Sequence, residues 1–176
     1  MKKAPMLLAL ALMYSPFVIA QSDDKGKLNE GEVLQAVTIA NQIDIENGEL
    51  AKKKASSKQV HAFANRMVKE RVELNKSAKT LMTKLKKSPE EGTLSKDMKV
   101  EGKKTHDQLM TLNGSEFDKA YIDVEIKHNQ ELIDIADNSL SNVKDEEIKA
   151  LLTKVRPALA AHVELAKTIQ GSVSKK

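Results

Sequence analysis

Apolar residues recur at steps of three and four along most of the chain, the spacing that places them on one face of an α-helix. Four long segments carry this pattern, at about 29–55, 56–87, 115–142 and 144–170, and a shorter segment at 95–112 carries a weaker one. No segment alternates apolar and polar residues with the period of two typical of strands. The pattern therefore predicts an all-α fold, an up-down bundle of four long helices with one additional short helix.

Polar and glycine-containing stretches indicate where the helices begin and end. Asn29 and the pair Ser56-Ser57 are suited to cap the first two helices, and Asn113-Gly114-Ser115 is typical of a helix stop followed by a new cap. Pro157 lies inside the last segment, where it removes a backbone donor and predicts a kink. Gly171 follows the last segment and is predicted to end that helix.

The N-terminus has the pattern of a signal peptide. Lys2 and Lys3 precede a short apolar run, and small residues come before a polar segment, so cleavage is predicted between Ala20 and Gln21. The run is too short to span the roughly 30 Å core of a bilayer, which needs about 20 apolar residues. An uncleaved anchor is the alternative interpretation.

These features predict the organisation of the chain and its location. We expect a signal peptide over 1–20, a disordered leader over 21–28, the helical-bundle domain over 29–170 and a flexible tail over 171–176. The mature protein is expected in the periplasm, without a transmembrane segment.

Composition narrows the classes of function. The chain has 29 basic and 25 acidic residues, and removal of the predicted signal peptide takes away two lysines, which leaves 27 minus 25, or a net charge of +2. Because the charges of both signs are interleaved, nucleic-acid binding is not expected. The chain has no cysteine, no Gly-x-Ser-x-Gly elbow and no glycine-rich phosphate loop. It therefore lacks a recognisable catalytic set, and we expect neither enzymatic activity nor a cofactor.

Three of the long helices interrupt their apolar pattern near their midpoints. The interruptions are Glu70-Arg71 in the second helix, His128 in the third long helix and His162 in the last. In an up-down bundle these positions fall at similar heights, because each helical residue rises 1.5 Å. The sequence therefore predicts a polar layer inside the bundle. Such a layer can fix the register of the helices, and this structural role is the first interpretation.

Metal binding is the second interpretation of the same residues. Glu125 and His128 have the spacing of the Glu-x-x-His motif of ferritin-like di-metal bundles, but Leu159 stands where the motif of the last helix needs its glutamate. A simpler site of His128, His162, Glu125 and a carboxylate such as Glu46 could bind copper, zinc or iron.

Other polar residues modify this hypothesis. Asp44 or Glu49 could supply the carboxylate in place of Glu46, whereas Arg71 puts a cation where a ligand would be needed. His61 and His106 lie off the apolar positions and are expected on the surface.

Three motifs give the chain a family resemblance. The segments "VHAFANRMV", "GSEFDKAYID" with its downstream histidine, and "RPALAAHVELA" resemble the exported bacterial family called domain of unknown function 4142, over about 29–170. The resemblance implies a ferritin-like four-helix bundle of the periplasm or cell envelope with no established activity. The family pattern often has a histidine where this chain has Arg71 and two adjacent histidines where it has Ala161-His162. His128 and His162 are retained, so a family metal site would be depleted here.

The sequence supports three functional hypotheses. The first is an exported, non-enzymatic bundle of the cell envelope, related to stress, that acts through an unknown protein or envelope partner. The second is a metal-binding bundle that uses His128 and His162 with a nearby carboxylate. The third is a bundle that binds a membrane surface.

Overall fold

The computed structural model describes residues 27–174. Over this range the chain forms five α-helices and no strand, so the prediction of an all-helical fold is confirmed. The signal peptide and most of the predicted leader lie outside the described residues. Each helix begins and ends within three residues of its predicted bounds. The helices are α1 (Glu30–Lys54), α2 (Lys58–Leu85), α3 (Thr93–Thr111), α4 (Gly114–Leu140) and α5 (Glu146–Val173).

Neighbouring long helices run in opposite directions. On α1 and α2, Asn41 bonds to Asn75 one turn before Asp44 meets Arg71, so residue numbers rise on one helix as they fall on the other. The same holds for α4 and α5, where Asp123 accepts from Gln170 while Asp137 pairs with Arg156. The two short connections are the physical reason, because a helix that follows a tight turn packs back on its predecessor.

The long helices pack in the order α1, α2, α5, α4, and α4 returns to α1. The shorter α3 lies outside this arrangement, against α1 and α4. It runs parallel to α1, since the backbone of Gly102 packs on Ile43 and His106 contacts Asn47 one turn later. Most core positions are therefore shared among the four long helices.

The core consists of apolar clusters with polar side chains between them. One cluster surrounds Phe63, Phe117 and Tyr121 near the α1–α2 connection, and another surrounds Leu34 and Ile148 at the opposite end. A third lies around Leu132, Leu159 and Val163. Six buried charged and amide side chains of the long helices occupy sequence positions between these clusters: Asn41, Asp44, Asn47, Arg71, Glu125 and Asn129. The buried His162 lies between Leu159 and Val163 of the third cluster.

The beginning of α2 is fixed by α4 instead of by its own cap. Ser57 is the N-cap residue, but its side chain makes no capping hydrogen bond. Instead the buried carboxylate of Asp118 accepts from the backbone N–H groups of Ser56 at 3.0 Å and Ser57 at 2.8 Å, and from the Ser56 hydroxyl at 2.5 Å. The prediction of a serine cap was therefore right in place and wrong in mechanism.

Replacing Asp118 with alanine should destabilise the fold by about 2 kcal/mol, because two backbone donors lose a charged acceptor. Urea denaturation measures this loss. Asp134→Ala on the exposed face of the same helix is the control and should change the free energy of unfolding by less than about 0.5 kcal/mol. Equal losses in both variants would show that the contact between α4 and the start of α2 contributes nothing.

The last helix ends later than predicted. It continues to Val173, so Gly171 lies inside the helix instead of at its end. Leu28, assigned to the leader, packs against the cluster around Leu34. Pro157 lies inside α5 as expected.

Two helical glycines should respond oppositely to alanine. A Cβ at Gly48 would lie 2.6 Å from Val68 Cγ2, whereas a Cβ at Gly171 would meet nothing within 4 Å. Gly171→Ala should stabilise the protein by about 0.5 kcal/mol through helix propensity. Gly48→Ala gains the same propensity but overpacks a stiff valine, so a net loss of about 1–2 kcal/mol is expected. Thermal denaturation of both variants checks this, and stabilisation by Gly48→Ala would contradict the close packing of α1 on α2.

Candidate functional site

Asp44 of α1 is the centre of the buried polar layer. Its side chain is fully buried between two cationic partners. Its Oδ1 lies 2.5 Å from Nδ1 of His128, and its Oδ2 lies 2.6 Å from Nε of Arg71. The Arg71 contact is an ion pair without hydrogen-bond geometry, since neither atom has a hydrogen-bond partner. Three helices thus converge on one carboxylate.

The network continues from Arg71 onto α4. The Arg71 guanidinium donates from Nη2 to Oδ1 of Asn129 at 2.7 Å. The Asn129 amide in turn donates to the backbone carbonyl of Glu125 at 2.8 Å and, more weakly, to its Oε2 at 3.4 Å. All three side chains are buried. The amide of Asn129 therefore connects a cation to a carboxyl group through hydrogen bonds.

Glu125 and Tyr121 form the least satisfied part of the layer. Both are fully buried. The nearby Glu125 raises the pKa of Tyr121, whereas the Tyr121 hydroxyl lowers the pKa of Glu125. However, neither Glu125 Oε1 nor the Tyr121 hydroxyl has a hydrogen-bond partner of ordinary geometry among the described residues. A buried polar atom without a partner costs free energy, and such atoms are uncommon in native proteins.

His162 belongs to a second pair at the α2–α5 boundary. Its Nε2 lies 2.7 Å from Oε2 of Glu70, whose other oxygen accepts from Nε of Arg66 at 2.7 Å. His162 is buried, whereas Glu70 is half-exposed. The Nδ1 atom of His162 has no hydrogen-bond partner in residues 27–174.

The charges of Asp44 and His128 favour each other's ionised form. Burial by itself raises the pKa of Asp44, but the positive charges of His128 and Arg71 outweigh it and hold that pKa below its ordinary value. Burial likewise lowers the pKa of His128, yet the Asp44 carboxylate outweighs this and raises it above 6.5. His128 is therefore protonated more readily in the fold than in an unfolded chain.

Glu125 and His162 instead have pKa values shifted towards the neutral form, because the effect of burial is larger than that of their oppositely charged neighbours. Burial and the nearby negative charge of Asp44 raise the pKa of Glu125 from 4.5 to about 8. Glu125 is thus mostly protonated at neutral pH. Burial and the positive charge of Arg71 lower the pKa of His162 below 6.5, although Glu70 opposes this shift.

The structure separates the residues that the sequence grouped. His128 and His162 contact different carboxylates, Asp44 and Glu70. Glu46, proposed as a metal ligand, is exposed and accepts a hydrogen bond from Gln42 at 2.7 Å. It lies on a different face of α1 from Asp44, because two residues along a helix correspond to about 200° of rotation. Of the candidate carboxylates on α1, Asp44 is the buried one.

Two further expectations concern the other histidines. His61 is exposed, as expected. His106 is less exposed than expected, because it is half-buried and its Nδ1 lies 3.0 Å from Oδ1 of the buried Asn47. The contact exists because α3 packs along α1, which the sequence of α3 alone does not indicate.

The layer offers few of the features of a metal centre. Across residues 27–174, no group of three or more His, Asp or Glu side chains is placed to hold a metal ion. The cationic side chain of Arg71 lies 2.6 Å from the Asp44 carboxylate, where it would repel a metal cation. None of the helices in this range is long and apolar enough to cross a membrane.

Comparison with protein families identifies the chain. The family model "Domain of unknown function (DUF4142)" matches residues 19–169, which includes all four long helices except the end of α5. The chain belongs to this family. The resemblance inferred from the sequence motifs is confirmed. No curated protein matches the chain.

Solved structures with the same fold have low sequence identity to this DUF4142 member. CopM in its Cu(II)-bound form is 18% identical with a TM-score of 0.67, and the match covers 83% of this chain and 98% of that one. CopM in its Ag-bound form is 20% identical with a TM-score of 0.62, covering 78% and 91%. A DUF305 fragment from Deinococcus radiodurans is 13% identical with a TM-score of 0.69, covering 85% and 99%. At these identities the likeness shows the fold alone.

Proposed function

We propose that the protein is an exported, non-enzymatic helical bundle of the bacterial periplasm or cell envelope. It acts by binding a protein or envelope partner and has a role in envelope stress. The observation that carries this proposal is the fully buried Asp44 carboxylate, whose two oxygens contact Arg71 and His128. The Asp44 carboxylate, the group of the core best suited to acid–base or metal chemistry, therefore joins three helices and has no free position for a substrate.

The proposed architecture is a ferritin-like up-down four-helix bundle of α1, α2, α4 and α5, with α3 as the additional short helix. The antiparallel packing of α1 on α2 and of α4 on α5 supports it. The N-terminal pattern of Lys2 and Lys3, an apolar run and small residues before Gln21 supports export with cleavage after Ala20.

In this proposal the polar layer is structural. A slip of α2 by one turn would move Arg71 about 5.4 Å from Asp44 and leave two buried charges apart. Glu70 and His162 restrict the register of α2 and α5 in the same way. The layer therefore favours one alignment of the helices, as buried polar residues do in coiled coils.

The proposal is tested in cells and on the purified protein. A strain that lacks the gene should grow normally in rich medium and poorly under envelope stress, and the intact gene should restore growth. Mass spectrometry of protein taken from the periplasm should give a chain that begins at Gln21. Growth of the deletion strain identical to its parent under every envelope stress would refute the stress role.

A second candidate function is the binding of copper or a similar ion. It is favoured by the shared fold with CopM, which was solved in Cu(II)-bound and Ag-bound forms. Glu70 would be the ligand most open to solvent, whereas the side chains of His162 and Glu125 are buried and that of His128 lies at the margin of the core. Imidazole and carboxylate ligands suit copper, zinc and iron.

Elemental analysis distinguishes the two candidates. Protein purified without chelator or affinity histidines should contain far less than one metal ion per chain if the leading proposal is right. Near-stoichiometric metal that is lost in His162→Gln or His128→Gln, but not in the control His61→Gln, would replace it by the metal-binding function. His61 is the matched control because its imidazole is exposed and lies outside the polar layer.

A further inference from the structure

The outer surface of α3 is the part of the protein that the fold leaves uncovered. This helix packs mainly on α1 and α4, and its opposite face is exposed. Val100 is 66% exposed and Met110 is 49% exposed. They are two of the three large hydrophobic side chains that the described residues leave exposed, the third being Val72 on α2. A shallow hollow on this surface is lined by residues of α3 alone.

The two exposed apolar residues of α3 lie on a single line along this helix. Val100, Lys103, Asp107 and Met110 follow one another at steps of three, four and three, which is the spacing of the contact positions in a coiled coil. We refer to these four residues as the α3 stripe. Lys103 and Asp107 form an ion pair of 2.6 Å within the helix, and both side chains are largely open to solvent.

The α3 stripe of one copy is complementary to the α3 stripe of a second copy that runs in the opposite direction. Two antiparallel copies of the stripe would place Val100 against Met110 and Lys103 against Asp107, each contact occurring twice about a twofold axis. A parallel pair would instead place Lys103 on Lys103 and Asp107 on Asp107, and like charges in contact are unfavourable. This self-complementarity is what a twofold symmetric interface requires.

We infer that the α3 stripe is a homodimerisation surface, on which α3 of a second copy of this chain packs in the antiparallel direction. The apolar contacts at the two ends supply most of the affinity, because exposed ion pairs contribute little. The central charges set the direction and exclude other partners. Each Lys103 exchanges its own Asp107 for the one on the second copy.

The size of the surface limits the strength of the dimer. One short helix from each copy buries less than a standard interface of about 1,600 Å², so the association belongs to the weak and reversible class. We therefore expect monomers at low concentration and dimers as the protein approaches millimolar concentration.

Sedimentation analysis of the purified protein over a micromolar to millimolar series tests the inference. The mass should rise with concentration from that of one chain towards that of two. A mass that stays at one chain throughout the series would overturn the inference and leave the stripe for a different protein partner.

Charge reversal identifies the interface. Lys103→Asp and Asp107→Lys should each be monomeric at concentrations where the wild type dimerises, because each homodimer would bring like charges together. An equimolar mixture of these two variants should form a heterodimer, since aspartates then face lysines at every contact. The double variant Lys103→Asp, Asp107→Lys should regain the homodimer. Circular dichroism of each variant verifies that the helices are retained.

Lys119→Asp is the control, because Lys119 is an exposed lysine of α4 outside the stripe. It should dimerise like the wild type. Dimers that persist in both single variants, or a mixture that stays monomeric, would exclude the antiparallel pairing of the α3 stripe.

Discussion

Replacing Arg71 with methionine is expected to destabilise the protein by about 3–5 kcal/mol, a large part of the free energy of unfolding of a domain of this size. The reason is the Asp44 carboxylate, which is fully buried and would keep only His128 as a charged partner. Methionine occupies a similar volume, so the loss would come from the charge instead of from a cavity. Asn129 would also lose the guanidinium that donates to it.

Urea denaturation at neutral pH measures this effect. Arg66→Met is the matched control, because Arg66 is on the same helix and also pairs with a glutamate, but its side chain is 51% exposed. Its loss should stay below about 1 kcal/mol, as for other exposed ion pairs. An Arg71→Met variant as stable as the control would show that Asp44 is uncharged or reached by water.

A double variant tests the cause directly. Adding Asp44→Asn to Arg71→Met removes the uncompensated charge, so a large part of the lost stability should return. The coupling energy from the double-mutant cycle then measures the interaction between the two side chains. A purely additive result would mean that Arg71 acts through packing alone.

Replacing Glu125 with glutamine is expected to stabilise the protein at neutral pH by about 3 kcal/mol. The physical cause is the raised pKa of this carboxyl group, which burial and the negative charge of Asp44 shift from 4.5 to about 8. At pH 7 an unfolded chain releases the proton freely, whereas the fold retains it, and each unit between 4.5 and 7 corresponds to about 1.36 kcal/mol. Glutamine is neutral in both states and removes this cost.

The sign of the pH dependence follows from the same difference. Between pH 4.5 and pH 8 the folded state binds the Glu125 proton and the unfolded state does not, so stability falls as pH rises. The raised pKa of His128 acts in the same direction, because its favourable proton is lost as pH rises through the folded value. The pKa of Asp44 is lowered, so its ionised carboxylate stabilises the fold at every pH above the ordinary pKa of an aspartate. This contribution is lost only as the pH falls through the lowered pKa.

Thermal or urea denaturation from pH 5 to pH 9 should therefore show that the stability of the wild-type protein falls steadily from pH 5 to about pH 8. The Glu125→Gln variant should show a much flatter profile. Glu131→Gln is the control on the same helix, since this glutamate is half-exposed and pairs with Lys127. A Glu125→Gln profile parallel to that of the wild type would contradict the assignment of a buried, protonated carboxyl group.

The helices were accessible to sequence reasoning because their causes are local. Asn29 caps α1 through its own side chain, with Glu32 completing the capping box within four residues. Asp145 caps α5 in the same local manner, although the sequence reading began that helix slightly earlier. Where the cause is distant, as with Asp118 at the start of α2, the sequence predicted the place of the helix start but not its partner.

The polar layer shows the limit of periodicity. The apolar pattern of α4 placed Val124 and His128 in the core, whereas the residues buried there are Glu125 and Asn129. Adjacent residues differ by only 100° around a helix, so a few apolar positions define the inner face to within about one residue. His128 consequently lies at the margin of the core, with its ring directed at Asp44.

The sequence by itself determined an all-helical chain, the positions of its five helices and its membership of the DUF4142 family, because capping, periodicity and motifs are written along the chain. It also indicated that the midpoints of α2, α4 and α5 carry polar residues. Only the tertiary structure decided which carboxylate joins which cation. It selected Asp44 over Glu46 and assigned His162 to Glu70, because burial and charge pairing depend on what the neighbouring helices present at each height.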